Sequence, residues 1–236
     1  MTIKFGLIGK GTISEKHIKA IESIGGELVQ IYDPLLTDNS VEDLFKHDFD
    51  YAVICSPSNF HYEHTKLALK NNRKVIVEKP QQLPWEPIID NDDINVVLQY
   101  RWFKPEEIGD KVEIVVKRDE KYFKSWKGNS VLTGGIFFNI FIHYLDLALK
   151  FKCPFSGIIT TEGNQFRKFG NIDLTSIDGN LLYTKMYEDI VFNDKGVKPK
   201  DLFYLDWVMK RCNLKYGMGG EVLNKKIEFD PNNWEN

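Results

Sequence analysis

A chain of 236 residues with 42% apolar residues can bury one large core or two modest ones. Its net charge of -3 offers no concentrated positive stripe, which argues against a nucleic-acid partner held through phosphates. The 3 cysteines, Cys55, Cys153 and Cys212, are far apart and odd in number, which suits reduced thiols in a reducing compartment.

No CxxC pair or Cys/His cluster suggests a metal. Residues 1–9 lack the basic-then-apolar pattern of a signal peptide, and no apolar run approaches the roughly 20 residues of a membrane span. The expected setting is therefore cytoplasmic, without a membrane partner.

Taken in order, residues 3–8 read as a short apolar strand followed by Gly9-Lys10-Gly11-Thr12-Ile13-Ser14 and then a helix. A dinucleotide site needs this order. Gly9 permits the tight turn, Gly11 lets the backbone approach a pyrophosphate, and Ser14 stands where a third small residue lets helix and strand pack closely. Ile18, Ile21 and Ile24 give that helix an apolar face before Gly25 and Gly26 end it. Residues 28–32 make a second strand ending at Asp33, about twenty residues beyond the glycines, where a carboxylate accepts hydrogen bonds from ribose hydroxyls and repels a 2′-phosphate. NAD is favoured over NADP.

Two further units follow. A helix over 40–47 leads to a strand over 51–55, and a helix over 59–71 leads to a strand at 74–77. The link Ser56-Pro57-Ser58-Asn59 combines a helix-excluding proline with capping residues at a strand end, beside the expected cofactor. His61 and His64 are three apart on the following helix and, with no third ligand nearby, suit a surface role better than a metal. Cys55 reads as a small buried residue, since no base stands beside it in sequence. The run Val75-Ile76-Val77 fits a strand buried on both faces, which brings Glu78 and Lys79 out at its carboxyl end, where open α/β sheets place their chemistry. Pro80 keeps Lys79 out of helical backbone. After a turn at 90–93, a strand over 94–99 ends at Gln99-Tyr100-Arg101, an amide and a guanidinium that serve either a ligand or a structural pair.

In the second half, residues 136–151 are apolar except for Asn139, His143, Asp146 and Lys150, spaced by 4, 3 and 4 residues. On a regular helix these form one narrow stripe, turned to solvent or to a ligand. Gly134 and Gly135 precede it, and Ser125, Trp126 and Lys127 upstream add donors and an aromatic surface that suit a polar sugar or phosphorylated ligand. Residues 181–191 and 201–212 read as scaffold helices, and 230–233 as a turn.

The loop at 9–14, the segment 54–69, the V-I-V-E-K-P at 75–80 and the G-G-I-F-F-N-I-F-I-H-Y-L-D-L at 134–147 together resemble the glucose-fructose oxidoreductase and inositol dehydrogenase (Gfo/Idh/MocA) family. Within it, residues 122–128, Gln99 to Arg101, Asn139 and the L-Y-T-K-M-Y-E-D-I at 182–190 resemble the branch that oxidises C3′ of UDP-N-acetylglucosaminuronic acid or UDP-N-acetylglucosamine. The resemblance implies an α/β chain: a Rossmann domain over 1–100, then a shortened α/β domain over 101–236 whose open, mainly antiparallel sheet binds substrate and forms a homo-oligomer interface. It implies NAD as cofactor and a nucleotide sugar as substrate.

Lys79 and His143 are then the catalytic pair at the sugar hydroxyl, with either as the base. Asn139, standing where many relatives carry aspartate, orients a hydroxyl without taking a proton. Cofactor contacts are expected from Gly9, Gly11, Thr12, Ile13 and Asp33. Ser56, Pro57, Asn59, His61, Glu78, Lys79 and Gln99 complete that set. Substrate contacts are expected from Lys79, Arg101, Ser125, Trp126, Lys127, Asn139 and His143. The Lys79–Pro80 bond is often cis in such proteins. The chain looks shorter than relatives of this branch, after Pro80 and between 157 and 180.

Overall fold

The structure, a computed structural model, describes residues 2–233. The chain divides into two units, Met1–Gln99 with Gly179–Phe203, and Tyr100–Asp178 with Tyr204–Asn236. Along the described residues the α-helices are α1 (Ser14–Ser23), α2 (Val41–Leu44), α3 (His61–Lys70), α4 (Glu120–Lys124), α5 (Ser130–Thr133), α6 (Ile142–Phe151), α7 (Gly179–Asn193) and α8 (Phe203–Tyr216).

The first unit is built on a 5-stranded sheet in the order β2-β1-β3-β4-β5, made of β1 (Lys4–Ile8), β2 (Glu27–Tyr32), β3 (Tyr51–Ile54), β4 (Lys74–Val77) and β5 (Ile94–Val96). Every pairing is parallel. Leu7, Val53, Ile54, Val75, Ile76 and Val77 are all 0% exposed, because crossover helices cover both faces of a parallel sheet. This confirms the unbroken apolar runs as central strands and brings the carboxyl ends of β1, β3 and β4 to one edge.

Two sequence expectations shift here. The strand over 94–99 stops at Val96, and Gln99–Trp102 forms a 3-10 turn. Of the isoleucine row only Ile21 is fully buried on α1, where it is joined by Ser14, His17 and Ala20; Ile18 and Ile24 are half-buried. His17 goes inside because polar partners await it there.

The segment Gly179–Phe203 joins the first unit, whereas the sequence reading placed it in a domain running from 101 to the end. The reason is chemical as well as apolar. Leu182, Tyr183, Met186, Tyr187 and Ile190 of α7 are buried, and both tyrosine hydroxyls engage groups of the amino-terminal sheet and α1.

The second unit holds a 5-stranded mixed sheet, β10-β7-β6-β8-β9, comprising β6 (Val112–Lys117), β7 (Phe155–Thr160), β8 (Phe166–Phe169), β9 (Ile172–Asp173) and β10 (Ile227–Phe229). Only β6 with β7 is parallel; the other pairings are antiparallel, as expected for a mainly antiparallel sheet. Val112, Ile114 and Val116 alternate inward along β6. The polar-striped helix starts as a π-helical stretch, Phe137–Phe141, before α6. That wider turn takes Asn139 out of line with Asp146 and Lys150. By length and composition Ser130–Phe151 could cross a membrane, contrary to the sequence count, yet 78% of its apolar window is buried within the fold as a core helix.

Candidate functional site

At the sheet edge of the first unit, Gly9 has φ 90°, and a Cβ there would stand 2.7 Å from the Ser56 backbone nitrogen, so only glycine lets the β1 and β3 loops touch. Gly11 is different. A Cβ on it would meet nothing within 4 Å, and Ile13 at the start of α1 has no side-chain cap, so the positive helix end lies beside open space. The Ser14 hydroxyl donates to the Gly11 carbonyl at 2.6 Å and fixes the loop. Asp33 accepts the Lys10 N–H at 2.7 Å on Oδ2 and the Leu35 N–H at 2.9 Å on Oδ1, which aims the carboxylate while leaving each oxygen a second lone pair. Thr12 is exposed, and Asn59 and Gln99 are half-buried. The Gln99 Oε1 is buried without a hydrogen-bond partner. An uncapped helix start, an open glycine, an aimed carboxylate and an orphaned acceptor fit a dinucleotide.

The β4 end is built differently from the expectation of cofactor contacts. Glu78 is 6% exposed and its Oε1 accepts from His17 Nε2 at 3.0 Å and from the Tyr183 hydroxyl at 2.8 Å. Its Oε2 takes the Lys79 N–H at 3.2 Å. The carboxylate is thus committed to protein. Burial opposes its charge, but the His17 hydrogen bond and charge, followed by Lys79 and Tyr183, outweigh it and lower its pKa to about 2. His17 Nδ1 meets the Tyr187 hydroxyl at 2.7 Å, completing a buried chain from α1 through β4 to α7. Sequence reasoning missed His17, Tyr183 and Tyr187. The available signals were a histidine three residues beyond Ser14 on the same helical face, and the two tyrosines inside the motif at 182–190.

His61 also departs from expectation. It is 2% exposed, with both ring nitrogens on backbone carbonyls, neither at the surface nor turned to a ligand. His64 Nδ1 lies 2.9 Å from the Ser56 hydroxyl, and burial, then the neighbouring His61, lowers its pKa to about 4. Pro57 extends the chain between Ser56 and the turn that enters α3. The Lys79–Pro80 bond is cis. Cys55 is buried, and burial followed by Glu78 pushes its thiol well up, as expected of a packing residue. Among the described residues no three His, Cys, Asp or Glu side chains gather as metal ligands.

In the second unit Asn139 Nδ2 donates to the Tyr122 hydroxyl at 2.8 Å and to the Lys127 carbonyl at 2.9 Å. Ser125 caps the next turn by accepting the Lys127 N–H, and Lys127 Nζ sits 5.8 Å over the half-exposed Trp126 ring. Asn139 and the 125–127 segment therefore come together. His143 is half-buried and meets the Tyr100 ring edge-on, with centroids 6.1 Å apart.

Arg101, expected at the substrate, is instead held by Asp146. Its Nε lies 2.9 Å from each carboxylate oxygen, and a terminal nitrogen donates to Oδ1 at 2.6 Å. Lys150 Nζ donates to the carbonyls of Arg101 and Phe103. The lower half of the polar stripe thus anchors residues 101–103, because a carboxylate that is 2% exposed needs a charged partner.

Residues 3–93 match an oxidoreductase family with an NAD-binding Rossmann fold, GFO_IDH_MocA. Among solved structures, the WlbA (WbpB) dehydrogenase from Thermus thermophilus, in complex with NAD and UDP-GlcNAcA, is similar with a TM-score of 0.71 and 21% identity, over 89% of this chain and 94% of that one. UDP-N-acetylglucosamine 3-dehydrogenase GnnA from Acidithiobacillus ferrooxidans gives 0.66 at 10% identity, over 94% of this chain and 99% of that one. A myo-inositol dehydrogenase from Corynebacterium glutamicum gives 0.65 at 14% identity, over 98% of this chain and 100% of that one. These likenesses show the fold.

Proposed function

We infer that this chain, whose residues 3–93 belong to the NAD-binding Rossmann oxidoreductase family, oxidises a secondary hydroxyl of a UDP-N-acetylglucosamine-type nucleotide sugar at C3′. The supporting observation is the edge of the first unit's sheet, where the open Gly11 loop and the β4 end that presents Lys79 share one side. Bound NAD supplies the hydride acceptor.

The start of α1 binds the pyrophosphate, and Asp33 accepts from the adenosine ribose hydroxyls and disfavours a 2′-phosphate. Gln99 Oε1 takes an amide N–H. Lys79 and His143 divide two tasks at the reacting hydroxyl: one removes its proton as the hydride leaves, and the other steadies the charge that develops on oxygen. Asn139, held by its Nδ2 donations to the Tyr122 hydroxyl and the Lys127 carbonyl, orients a hydroxyl without acting as base, because a neutral amide takes no proton. Trp126 and Lys127 offer an aromatic face and a cation for the nucleotide. The product is a 3-keto nucleotide sugar.

Two further expectations belong to this reading. A homo-oligomer forms through the sheet of the second unit, where Val115 pairs with Ile158 and with Phe166, and Phe166 is 39% exposed. The setting is cytoplasmic. A second reading, oxidation of another sugar or of an inositol, draws on the fold shared with the Corynebacterium glutamicum enzyme. NADH formation measured with UDP-sugars against free sugars and inositols separates the two. Lys79→Ala and His143→Ala are expected to lose turnover by about a hundredfold or more; wild-type turnover in both with the true substrate sinks the assignment.

A further inference from the structure

His61 opens α3, and its two ring nitrogens face two backbone carbonyls: Nδ1 lies 2.6 Å from Pro80 O and Nε2 lies 2.7 Å from Ser56 O. A carbonyl only accepts. A neutral imidazole carries one N–H and one lone pair, so it satisfies one of these oxygens and turns a lone pair on the other at contact distance. Only the imidazolium donates to both. His17 gives the internal contrast, since its nitrogens face the Glu78 carboxylate and the Tyr187 hydroxyl, and that hydroxyl can donate to a neutral ring. Neither partner of His61 can become a donor.

The two carbonyls belong to the loops that matter most for the proposed chemistry. Ser56 follows β3 and lies against Gly9; Pro80 follows Lys79. The geometry points to His61 as a positioning residue that, as the imidazolium, ties the Ser56 loop to the Lys79–Pro80 turn and releases one of them when it loses that proton. This rests on the coenzyme reading of the same edge.

The charged groups around the ring act in both directions. Burial pushes its pKa below the ordinary imidazole value, against the pull of the Pro80 and Ser56 carbonyls and of the Glu78 carboxylate, while the Lys79 ammonium adds to the push. His64, one turn along α3, stays neutral until the pH falls to about 4, and the Cys55 thiol stays neutral because burial raises its pKa. The tie therefore forms on the acid side of the free imidazole pKa and slackens as pH rises through that step.

The test uses the full chain labelled with 15N at histidine and at backbone amides, titrated from about pH 4.5 to 8.5. The expected result is a His61 ring with both nitrogens protonated at low pH that passes to one neutral tautomer, while the Gln81 amide signal moves with the same midpoint. The dissociation constant for NAD, measured on the same protein, rises about fivefold across that step. His61→Gln, which cannot change protonation, shows no such step. A ring that is neutral throughout, a titration that leaves Gln81 unmoved, or the same NAD step in His61→Gln overturns the inference. Absence of NAD binding at every pH overturns the coenzyme reading instead, and the Gln81 signal still decides the tie. The ring titration in the wild-type protein stands even where His61→Gln fails to fold.

Discussion

The Nε2 of His17 lies 3.0 Å from Oε1 of Glu78, so the helix that follows the glycine loop is bonded to the residue that precedes Lys79. The contact is fully inside: the His17 side chain is 0% exposed and that of Glu78 is 8% exposed. It couples the end of the sheet that would hold the coenzyme to the residue that would work on the substrate.

Removing His17 leaves a buried carboxylate with the Tyr183 hydroxyl and the Lys79 N–H as its remaining partners. His17→Ala is expected to lower unfolding free energy by about 3 kcal/mol, the usual cost of stranding half of a buried pair. Tyr183→Phe removes one hydrogen bond to the same oxygen and costs about 1 to 2 kcal/mol. Urea unfolding checks both. Because the two mutations share one acceptor, the double variant should lose less than the sum, and strict additivity would argue against a shared network.

Glu78 also sets an acid limit on stability. Burial favours its neutral form, but the His17 hydrogen bond and charge, with Lys79 and Tyr183, hold its pKa at about 2, below the unfolded value of about 4.3. A group whose pKa is lower in the fold stabilises it above the unfolded pKa and loses that contribution as pH falls through the folded one. The window runs from about pH 4.5 down to about 2, and the whole step is worth about 3 kcal/mol. Urea midpoints of wild type and Glu78→Gln, compared from pH 6 to pH 3, should converge as pH falls; a constant gap sinks the assignment.

The Rossmann unit was legible because its signals are local. The turn glycines, the acid at Asp33 and the run Val75-Ile76-Val77 each carry their meaning within a few residues, and each lies where the pattern placed it. What escaped were choices made between distant segments. His17 is a polar residue within an apolar helix face, one turn before Ile21, and its burial depends on Tyr187, 170 residues away. Arg101 and Asp146 are 45 residues apart, and each alone looked available to a ligand. The short strands β8, β9 and β10 have too few residues for a period to declare itself; pairing defines them, β8 with β6, β9 with β8 and β10 with β7.

The Arg101 fork on Asp146 yields a separation of stability from binding. Arg101→Lys keeps the charge but loses the two-pronged geometry, so unfolding free energy is expected to fall by about 1 to 2 kcal/mol. Turnover per folded molecule and the KM for a UDP-sugar should stay close to wild type. A KM raised tenfold with unchanged stability would return Arg101 to the substrate.

Asp33 offers a test of coenzyme choice. Its oxygens are aimed by the N–H groups of Lys10 and Leu35. Asp33→Ser removes the charge and one acceptor, so NAD binding should weaken about tenfold while discrimination against NADP shrinks. Titration calorimetry with both coenzymes reads the two effects. NAD affinity unchanged in Asp33→Ser would mean that the ribose lies elsewhere.

The two loop glycines should fail in different ways. Gly9→Ala places a Cβ 2.7 Å from Ser56 N and 2.8 Å from the Cys55 carbonyl carbon, at a φ of 90° that alanine rarely adopts. The atoms it meets are all backbone of the Cys55–Ser56 peptide, so no side chain can move aside, and the variant should melt at lower temperature with or without coenzyme. Gly11→Ala meets nothing within 4 Å, so its melting temperature without ligand should match wild type. The new methyl group instead occupies the space beside the start of α1 where a pyrophosphate would approach, and the rise in melting temperature on adding NAD should largely disappear. If Gly11→Ala keeps the full NAD-induced shift, the open side of this loop is not the coenzyme site.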